Sequence, residues 1–387
     1  MNELARAARL ASQLREQKID RLLVSAPVNI RYLCGYTGSN GLLLIDAGEQ
    51  AEHRFFTDFR YATQSAEQVP EGFEREIASA DLLEAAVRAL SPGATETDGK
   101  QADRRAPGEE KAQGNHGQMR LGFDDASLTV KQHNRLRELL APGWELVPCS
   151  GVLESLREIK DEQEIVRIRA AAALADQALV EVLEAGLYGR TEREVAIELE
   201  LRMRRLGAQA PSFPSIVASG AHGALPHAEP RDVEIPRGVL VTIDWGAYLD
   251  GYCSDCTRTY ATGPLSEEAS AVYELVLRAQ VAALQAVRPG VGGRAVDGVA
   301  RTIIEEAGHA EHFGHGLGHG VGMEIHEAPR LSRTAGDEPL RSGNIVTVEP
   351  GVYVPGRLGV RIEDLALVGD RGHELLTSLP KELTSVE

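Results

Sequence analysis

Two acidic residues, Asp244 and Asp255, flank an Asp-Gly pair in a stretch rich in β-branched residues. This composition predicts a β-hairpin with a two-residue turn at Asp250 and Gly251, a register that sets Asp244 opposite Thr257. Because alternate residues of a strand share a face, both acids lie on one face as diagonal neighbours, roughly 7–8 Å apart at the backbone. Carboxylates this close repel each other unless water or a cation lies between them.

The opposite face of the first predicted strand is apolar. It carries Val241, Ile243 and Trp245, which we expect to be buried. A strand that is buried on one side offers its acids little solvent, so the pair needs water or cations to be stable.

The same pattern occurs twice in the chain. Residues 241–248 recur as residues 346–353, with an acid, Glu349, at the corresponding position. A second hairpin, centred near Gly356, would set Glu349 opposite Glu363 on one face. The repeat therefore predicts a pseudo-symmetric domain in which each half supplies two carboxylates.

Four carboxylates that converge on one point form a ligand set for two divalent cations. Hard or borderline ions roughly 3.5–4 Å apart share such oxygens in many hydrolases. The alternative interpretation is that these are ordinary surface acids in an acidic chain. The duplication and the matched geometry favour the metal site.

Histidines are concentrated in the same half of the chain, with seven of the eleven between His222 and His326. The segment 312–326 alternates histidine with glycine, which excludes a stable helix and hence the helical zinc motif. Glycine instead allows the backbone to approach a ligand closely. The spacing alone leaves open which imidazole would bind a metal ion.

The length of 387 residues exceeds the usual limit of a single hydrophobic core and predicts two domains. Helices and strands alternate over residues 1–150, as in an α/β domain, whereas residues 151–387 combine antiparallel strands with long helices in an α+β arrangement. Residues 91–120 are nearly free of large apolar side chains and are predicted to form a mobile polar excursion at the surface. A partner-binding arm is the alternative for that segment.

Apolar periodicity, capping signals and turn residues predict the individual elements. Predicted helices cover residues 2–18, 82–90, 129–140, 152–184, 266–287 and 294–307, with others starting near Phe59 and after the capping box of Thr191 and Glu194. Predicted strands of the first domain cover residues 22–24, 41–46, 54–57 and 144–148, and residues 26–29 are interpreted as a turn.

The net charge of −17 argues against a nucleic-acid or anionic-membrane partner, because Lys and Arg clusters make those contacts. We expect neither a signal peptide nor a membrane span.

Four cysteines in a chain this long do not form a disulfide framework, which favours a cytoplasmic location. Cys253 and Cys256 form a C-x-x-C, but residues three apart in a strand point to opposite faces, so we expect structural roles for them.

The motifs resemble, over nearly the whole chain, the prolidase and aminopeptidase P branch of the pita-bread metallopeptidases. They are Ile-Asp-Trp-Gly, Ser-Asp-Cys-Thr-Arg-Thr, His-Gly-Leu-Gly-His, Val-Glu-Pro-Gly and Arg-Ile-Glu-Asp. The metal ligands that the resemblance implies are Asp244, Asp255, His319, Glu349 and Glu363. It implies that Asp255 and Glu363 bridge two ions. Asp244 would hold one ion, and His319 and Glu349 the other.

The resemblance also implies residues that meet the substrate. His227 matches the histidine near the leaving side of the substrate. His315 and His326 match a pair that contacts the substrate and the transition state. Tyr353 and Arg361 are expected to bind substrate as well.

The segments 29–40 and 57–61 resemble the creatinase-like N-terminal domain of this family. Methionine aminopeptidases share the catalytic fold but lack that domain, so the Xaa-Pro branch is favoured. The sequence departs from the family pattern at three places. Cys256 stands where the family usually has an aliphatic residue, His222 stands where Asn is frequent, and the excursion at 91–120 looks inserted.

The resemblance implies hydrolysis of the bond between an N-terminal residue and proline, most simply in an Xaa-Pro dipeptide. Two divalent ions would activate water, manganese being the family expectation and cobalt or zinc also suiting the ligands. Glu349 would move a proton towards the leaving nitrogen. A homodimer is implied too. The alternatives are an aminopeptidase P acting on longer peptides, a metal-free creatinase-type hydrolase and a non-catalytic binding module.

Overall fold

The computed structural model describes residues 2–49, 51–90 and 118–387. The chain forms two compact units, Met1–Leu153 and Glu154–Glu387. The boundary between them is close in sequence to the domain boundary that we predict at residue 150. Most of the predicted polar excursion at 91–120 lies outside the described residues. Its last two residues, 119 and 120, instead begin a strand.

The first unit contains a six-stranded mixed sheet and accompanying helices. The helices are α1 (Glu3–Glu16), α2 (Pro27–Cys34), α3 (Ala62–Gln68), α4 (Leu82–Arg88) and α5 (Val130–Leu139). The strands are β1 (Arg21–Val24), β2 (Leu42–Asp46), β3 (His53–Asp58), β4 (Phe73–Ala78), β5 (Met119–Phe123) and β6 (Trp144–Pro148). They lie in the order β4-β3-β2-β1-β5-β6. The predicted α/β class is confirmed, although β4 and β5 are absent from the sequence-based prediction.

The interpretation of residues 26–29 as a turn is wrong, because α2 begins there. Pro27 is the first helical residue, a position where the missing N–H costs nothing. Gly35 ends the helix in the left-handed region at φ 75°, which glycine adopts without strain. The spacing from Pro to Gly is thus the signal of a short helix.

The second unit combines long helices with several antiparallel sheets. The helices are α6 (Val152–Glu158), whose first residues belong to the first unit, α7 (Glu162–Leu183), α8 (Glu192–Leu206), α9 (Glu267–Ala286) and α10 (Gly293–Glu306). The strands are β7 (Ala210–Pro211), β8 (Ile216–Ser219), β9 (Leu240–Trp245), β10 (Ala247–Leu249), β11 (Tyr252–Cys253), β12 (Cys256–Ala261), β13 (Gly318–Gly320), β14 (Glu327–Leu331), β15 (Ile345–Val348), β16 (Gly351–Val354), β17 (Leu358–Arg361), β18 (Asp364–Val368) and β19 (His373–Leu375). The sheets have the orders β11-β10-β7, β12-β9-β8, β14-β13-β15-β18-β19 and β16-β17.

The prediction of one helix over residues 152–184 is wrong, since α6 and α7 are separate. The side chain of Asp161 accepts hydrogen bonds from the first turn of α7, and the carboxylate of Glu164 accepts one from the amide of Asp161. This capping box starts a new helix within a continuous helical pattern. The capping box predicted at Thr191 and Glu194 is confirmed at the start of α8.

Both predicted hairpins form, and the register of the first is confirmed. Asp244 pairs with Thr257, and the turn residues Asp250 and Gly251 have φ of 49° and 86°, as this turn type requires. In the second hairpin β16 pairs with β17 and β15 pairs with β18. Glu349 and Glu363, opposite each other in this register, lie where that ladder is interrupted. The sequence repeat is therefore a structural repeat.

Each hairpin packs on its own helices. A core formed with α7 and α8 buries Val241, Ile243 and Trp245, as predicted, and the indole N–H of Trp245 donates to the carbonyl of Ala175. A second core joins α9 and α10 to the strands of the second hairpin. The carboxylates are thus placed on rigid strands backed by apolar packing.

All four cysteines are buried and unpaired. The thiols of Cys253 and Cys256 lie against different carbonyls, those of Met323 and Glu363, which fits structural roles. In the described part of the chain, no helix is both long and apolar enough to cross a membrane.

Candidate active site

Three of the predicted metal ligands form a tight acidic cluster. Each of Asp244, Asp255 and Glu363 offers a carboxylate oxygen, and these oxygens lie within 4.8 Å of one another. Asp255 and Glu363 are buried, with 5% and 1% of their surfaces exposed. Among the described residues, Asp244 Oδ1 and Glu363 Oε1 are buried without a hydrogen-bond partner. Two orphaned anionic oxygens in one cluster fit a site for cations.

The electrostatics of the cluster agree with this geometry. Burial raises the pKa of Asp255 well above its usual value, and the charges of Glu363 and Asp244 raise it further. Burial and the charges of Glu349 and Asp244 likewise raise the pKa of Glu363. Burial also raises the pKa of Asp244, although Arg361 opposes this. Without a cation the cluster holds mutually repelling carboxylates, a cost that bound divalent ions would remove.

His319 and Glu349 extend the cluster on one side. His319 Nε2 lies 3.3 Å from Glu349 Oε1 and 3.6 Å from Asp255 Oδ2. His319 Nδ1 lies 3.1 Å from the carbonyl of Gly320, so this nitrogen donates its proton there and leaves Nε2 to face the acids. Burial raises the pKa of Glu349, but the hydrogen bond and charge of His319 lower it to about 2.

The glycines around His319 serve strand packing. A β-carbon at Gly318 would lie 2.0 Å from the carbonyl oxygen of Thr347, and one at Gly320 would lie 2.1 Å from that of Ala328. The expectation that these glycines admit a ligand is therefore not what the structure shows at these two positions. They let β13 lie against its neighbours, which places His319 beside the acids.

Arg361 does not point a free guanidinium at the cavity. It donates to Asp244 Oδ2 at 2.6 Å, to the hydroxyl of Tyr353 at 2.9 Å and to Thr257 Oγ1 at 3.0 Å. The Tyr353 hydroxyl in turn lies 3.0 Å from His315 Nε2. Although Arg361 and Tyr353 line the cavity, as expected of substrate-binding residues, the donors of Arg361 hold neighbouring side chains.

His315 is fixed at both ring nitrogens. Its Nδ1 lies 2.7 Å from the carbonyl of Gly316 and therefore carries the proton, so Nε2 accepts from Tyr353. Burial lowers the pKa of His315, which keeps the ring neutral. This imidazole orients the Tyr353 hydroxyl as well as lining the cavity.

A cavity of about 670 Å³ opens on the cluster. All five predicted metal ligands line it, together with the predicted substrate histidines His227, His315 and His326. His326 stacks edge-on against His319 with 4.3 Å between ring centroids. The structure therefore brings together every predicted site residue.

Two threonines that no sequence motif singles out hold the carboxylates. Thr257 Oγ1 donates to Glu363 Oε2 at 2.7 Å, and Thr347 Oγ1 donates to Glu349 Oε1 at 3.1 Å. The hairpin register sets Thr257 opposite Asp244, which was a usable signal.

A buried ion pair on α10 is likewise not singled out by any sequence motif. Asp297 and Arg301 form two hydrogen bonds of 2.7 Å, and Arg301 donates to the carbonyls of Phe313 and His315. Asp297 accepts from the amide of Leu317. The pair fixes the segment that carries His315, and only its i, i+4 spacing was visible in the sequence.

Known protein families match most of the chain. Residues 166–370 match the model of metallopeptidase family M24, and residues 6–159 match the creatinase/prolidase N-terminal domain. The chain belongs to metallopeptidase family M24 and has the pita-bread fold, which makes it a metal-dependent peptide hydrolase with a site for two divalent ions.

Three relatives illustrate the match. An Xaa-Pro dipeptidase of Pyrococcus furiosus is 34% identical over 98% of this chain and 99% of its own. The structure of an Xaa-Pro dipeptidase from Bacillus anthracis superimposes with a TM-score of 0.88, at 37% identity, over 99% of each chain. An X-Pro aminopeptidase from Thermotoga maritima superimposes with a TM-score of 0.84, at 32% identity, over 98% of this chain and all of that one.

Proposed function

We propose that this chain is an Xaa-Pro dipeptidase that uses two manganese ions. The relatives named Xaa-Pro dipeptidase support this proposal, because they match both units of the chain. The oxygen-rich ligand set with one imidazole suits manganese, while cobalt and zinc remain alternatives. In this proposal Asp244, Asp255, His319, Glu349 and Glu363 would hold the two ions, since all five line the same cavity.

The chain's own residues have separate tasks in the proposed reaction. Bound divalent ions would lower the pKa of water and polarise the scissile carbonyl. Glu349, at the cavity wall, takes the proton of the attacking water and passes it to the proline nitrogen. His227 and His326 line the cavity and form no hydrogen bond within the described chain, so their N–H groups are available to the substrate. Arg361 holds Asp244 in place through their 2.6 Å hydrogen bond.

The observation that carries the preference for dipeptides is a second arginine at the cavity wall. Arg330 is exposed, lines the cavity and forms no ion pair within the described residues. The proline carboxylate of an Xaa-Pro dipeptide is an anion that such a guanidinium binds well. A longer peptide has a neutral amide at that position. The binding of the free carboxylate therefore distinguishes a dipeptidase from an aminopeptidase.

The test compares an Xaa-Pro dipeptide with the tripeptide that adds one residue after proline. We expect the wild type to prefer the dipeptide, and Arg330→Ala to lower kcat/KM for the dipeptide by roughly tenfold to a hundredfold, as for loss of a hydrogen bond to a charged group. The tripeptide should be affected little. Arg333→Ala, an exposed arginine of the same segment that does not line the cavity, is the matched control.

A wild type that cleaves the tripeptide at least as well as the dipeptide would contradict the dipeptidase assignment. It would favour aminopeptidase P activity, which the similarity to the Thermotoga X-Pro aminopeptidase keeps as the second candidate. We further propose a homodimer in the cytoplasm. The unpaired cysteines support the cytoplasmic location, and the family resemblance supports the homodimer.

A further inference from the structure

A buried carboxylate outside the metal cluster gathers one loop of the site. Glu192 is the first residue of α8, and its side chain is fully buried. It accepts hydrogen bonds from the amide and hydroxyl of Ser219, both at 2.8 Å, and lies 2.9 Å from His222 Nδ1. It also accepts from the amide of Arg231 at 3.2 Å and from Nε of that side chain at 3.1 Å. One carboxylate therefore ties together both ends of the segment 219–231.

The charge of Glu192 is compensated where it stands. Burial raises its pKa, but the hydrogen bonds from Arg231 and Ser219 outweigh burial and hold the pKa below its usual value. The group is therefore an anion at neutral pH, and it accepts charge-assisted hydrogen bonds, which are the strong kind. A buried anion with this many donors fixes the geometry of the backbone that supplies them.

The segment held by Glu192 carries His227. The imidazole of His227 faces the cavity and forms no hydrogen bond within the described chain, so its position is determined by its backbone. On its inner side the segment touches β17, because a β-carbon at Gly359 would lie 1.7 Å from the carbonyl oxygen of Gly223. Next to His227, the carbonyl of Pro226 accepts from Arg361 at 3.2 Å. Glu192 supplies the contacts at both ends.

We propose that Glu192 is the positioning residue for His227, holding the segment 219–231 so that this imidazole reaches the substrate. The proposal rests on the proposed function, since it concerns a histidine of that site. His222 takes part by placing a ring nitrogen 2.9 Å from this carboxylate.

A double-mutant cycle tests this role. Glu192→Gln should lower kcat/KM for an Xaa-Pro dipeptide by roughly tenfold to a hundredfold, because a displaced catalytic group loses about that much. The change should divide between kcat and KM as it does in His227→Ala. In the His227→Ala background the same substitution should cost less than roughly twofold, since the group that it positions is gone.

A matched control and a milder variant complete the series. Glu194→Gln alters another acid in the first turn of α8, one that caps Thr191, and should leave the kinetics unchanged. Arg231→Ala removes donors from a side chain that is 46% exposed, so it provides a folded variant if Glu192→Gln does not fold. It should give a smaller loss than Glu192→Gln, again only while His227 is present.

Hydrogen–deuterium exchange of the segment 219–231 separates this proposal from the proposed function. Faster exchange there in Glu192→Gln or Arg231→Ala, but not in Glu194→Gln, supports the positioning role even if the wild type cleaves no Xaa-Pro peptide. Unchanged exchange would overturn it. An equal loss of kcat/KM with and without His227 would also overturn it, because Glu192 would then act by another route.

Discussion

At the scale of single residues, the site is defined by carboxylates that repel each other in the metal-free protein. Glu363 shows this best, because burial and the charges of Glu349 and Asp244 raise its pKa well above the usual value. One of its oxygens accepts from Thr257, and the other has no partner within the described chain. Glu363 therefore lowers the stability of the folded protein without metal ions and raises it when metal ions are bound.

Glu363→Gln separates these two effects. The variant should leave the melting temperature of the metal-free protein unchanged or raised, because a repelling charge is removed. The wild type should gain about 2.7 kcal/mol at a manganese concentration of 100 times Kd, and the variant should lose this gain together with its activity. Differential scanning calorimetry with and without manganese measures both. Glu382→Gln, at an exposed position, is the control and should behave as the wild type does. If manganese still stabilised Glu363→Gln, Glu363 would not be a metal ligand.

The identity of these acids could be predicted from the sequence because they lie on hairpins. A two-residue turn fixes the register, and the register fixes which side chains share a face, as Asp244 and Thr257 show. The hydrogen bond from Arg361 to Asp244 joins residues 117 positions apart, and no local pattern encodes it. The same reason hid the hydrogen bonds from Ser219 and Arg231 to Glu192.

At the scale of elements, a buried ion cluster fixes the junction of α6 and α7 to β14. Glu327 accepts hydrogen bonds from Arg157 and Lys160, the latter at 3.0 Å, and the side chains of both cations are at most 2% exposed. Burial raises the pKa of Glu327, but Lys160 and Arg157 lower it below its usual value. The cluster lies next in sequence to His326, so it also anchors a cavity segment.

Glu327→Gln should lower the stability by about 3 kcal/mol at neutral pH, because it removes the anion between two buried cations. The pKa of Glu327 is lower in the folded protein than in the unfolded chain. Its carboxylate therefore contributes fully to the free energy of unfolding above about pH 4.3, and this contribution is lost as the pH falls through the pKa of the folded state. In denaturant unfolding of the metal-free protein, the difference in free energy of unfolding between the wild type and Glu327→Gln should therefore become smaller below about pH 4. Glu338→Gln, at an exposed position, is the control. A stability difference between the wild type and Glu327→Gln that does not depend on pH would contradict the ionic role of Glu327.

Elements with a strong local signal were predictable to within a residue or two. Strand β6 and helix α5 are examples, since each shows an apolar pattern with clear ends. The break between α6 and α7 was missed because the apolar pattern runs on through it, and only the capping box at Asp161 marks it. The short helix α2 was missed because Pro27 is equally typical of a turn.

At the scale of the whole molecule, the family resemblance predicts a homodimer. The charge of −17 per chain does not prevent association, since it acts over only about 8 Å at physiological ionic strength. Light scattering at micromolar concentration should give twice the mass of one chain. A monomer under these conditions would refute the dimer without affecting the metal site, all of whose proposed ligands lie in one chain.

We propose that five side chains of one unit form a two-metal site that hydrolyses Xaa-Pro dipeptides. The direct measurement is a titration of the chelator-treated protein with manganese, recording bound ions per chain by mass spectrometry and the hydrolysis rate of an Xaa-Pro dipeptide. We predict no hydrolysis without metal and full activity as the second ion binds. Full activity in the presence of chelator, or no hydrolysis with two ions bound, would contradict a two-metal Xaa-Pro dipeptidase.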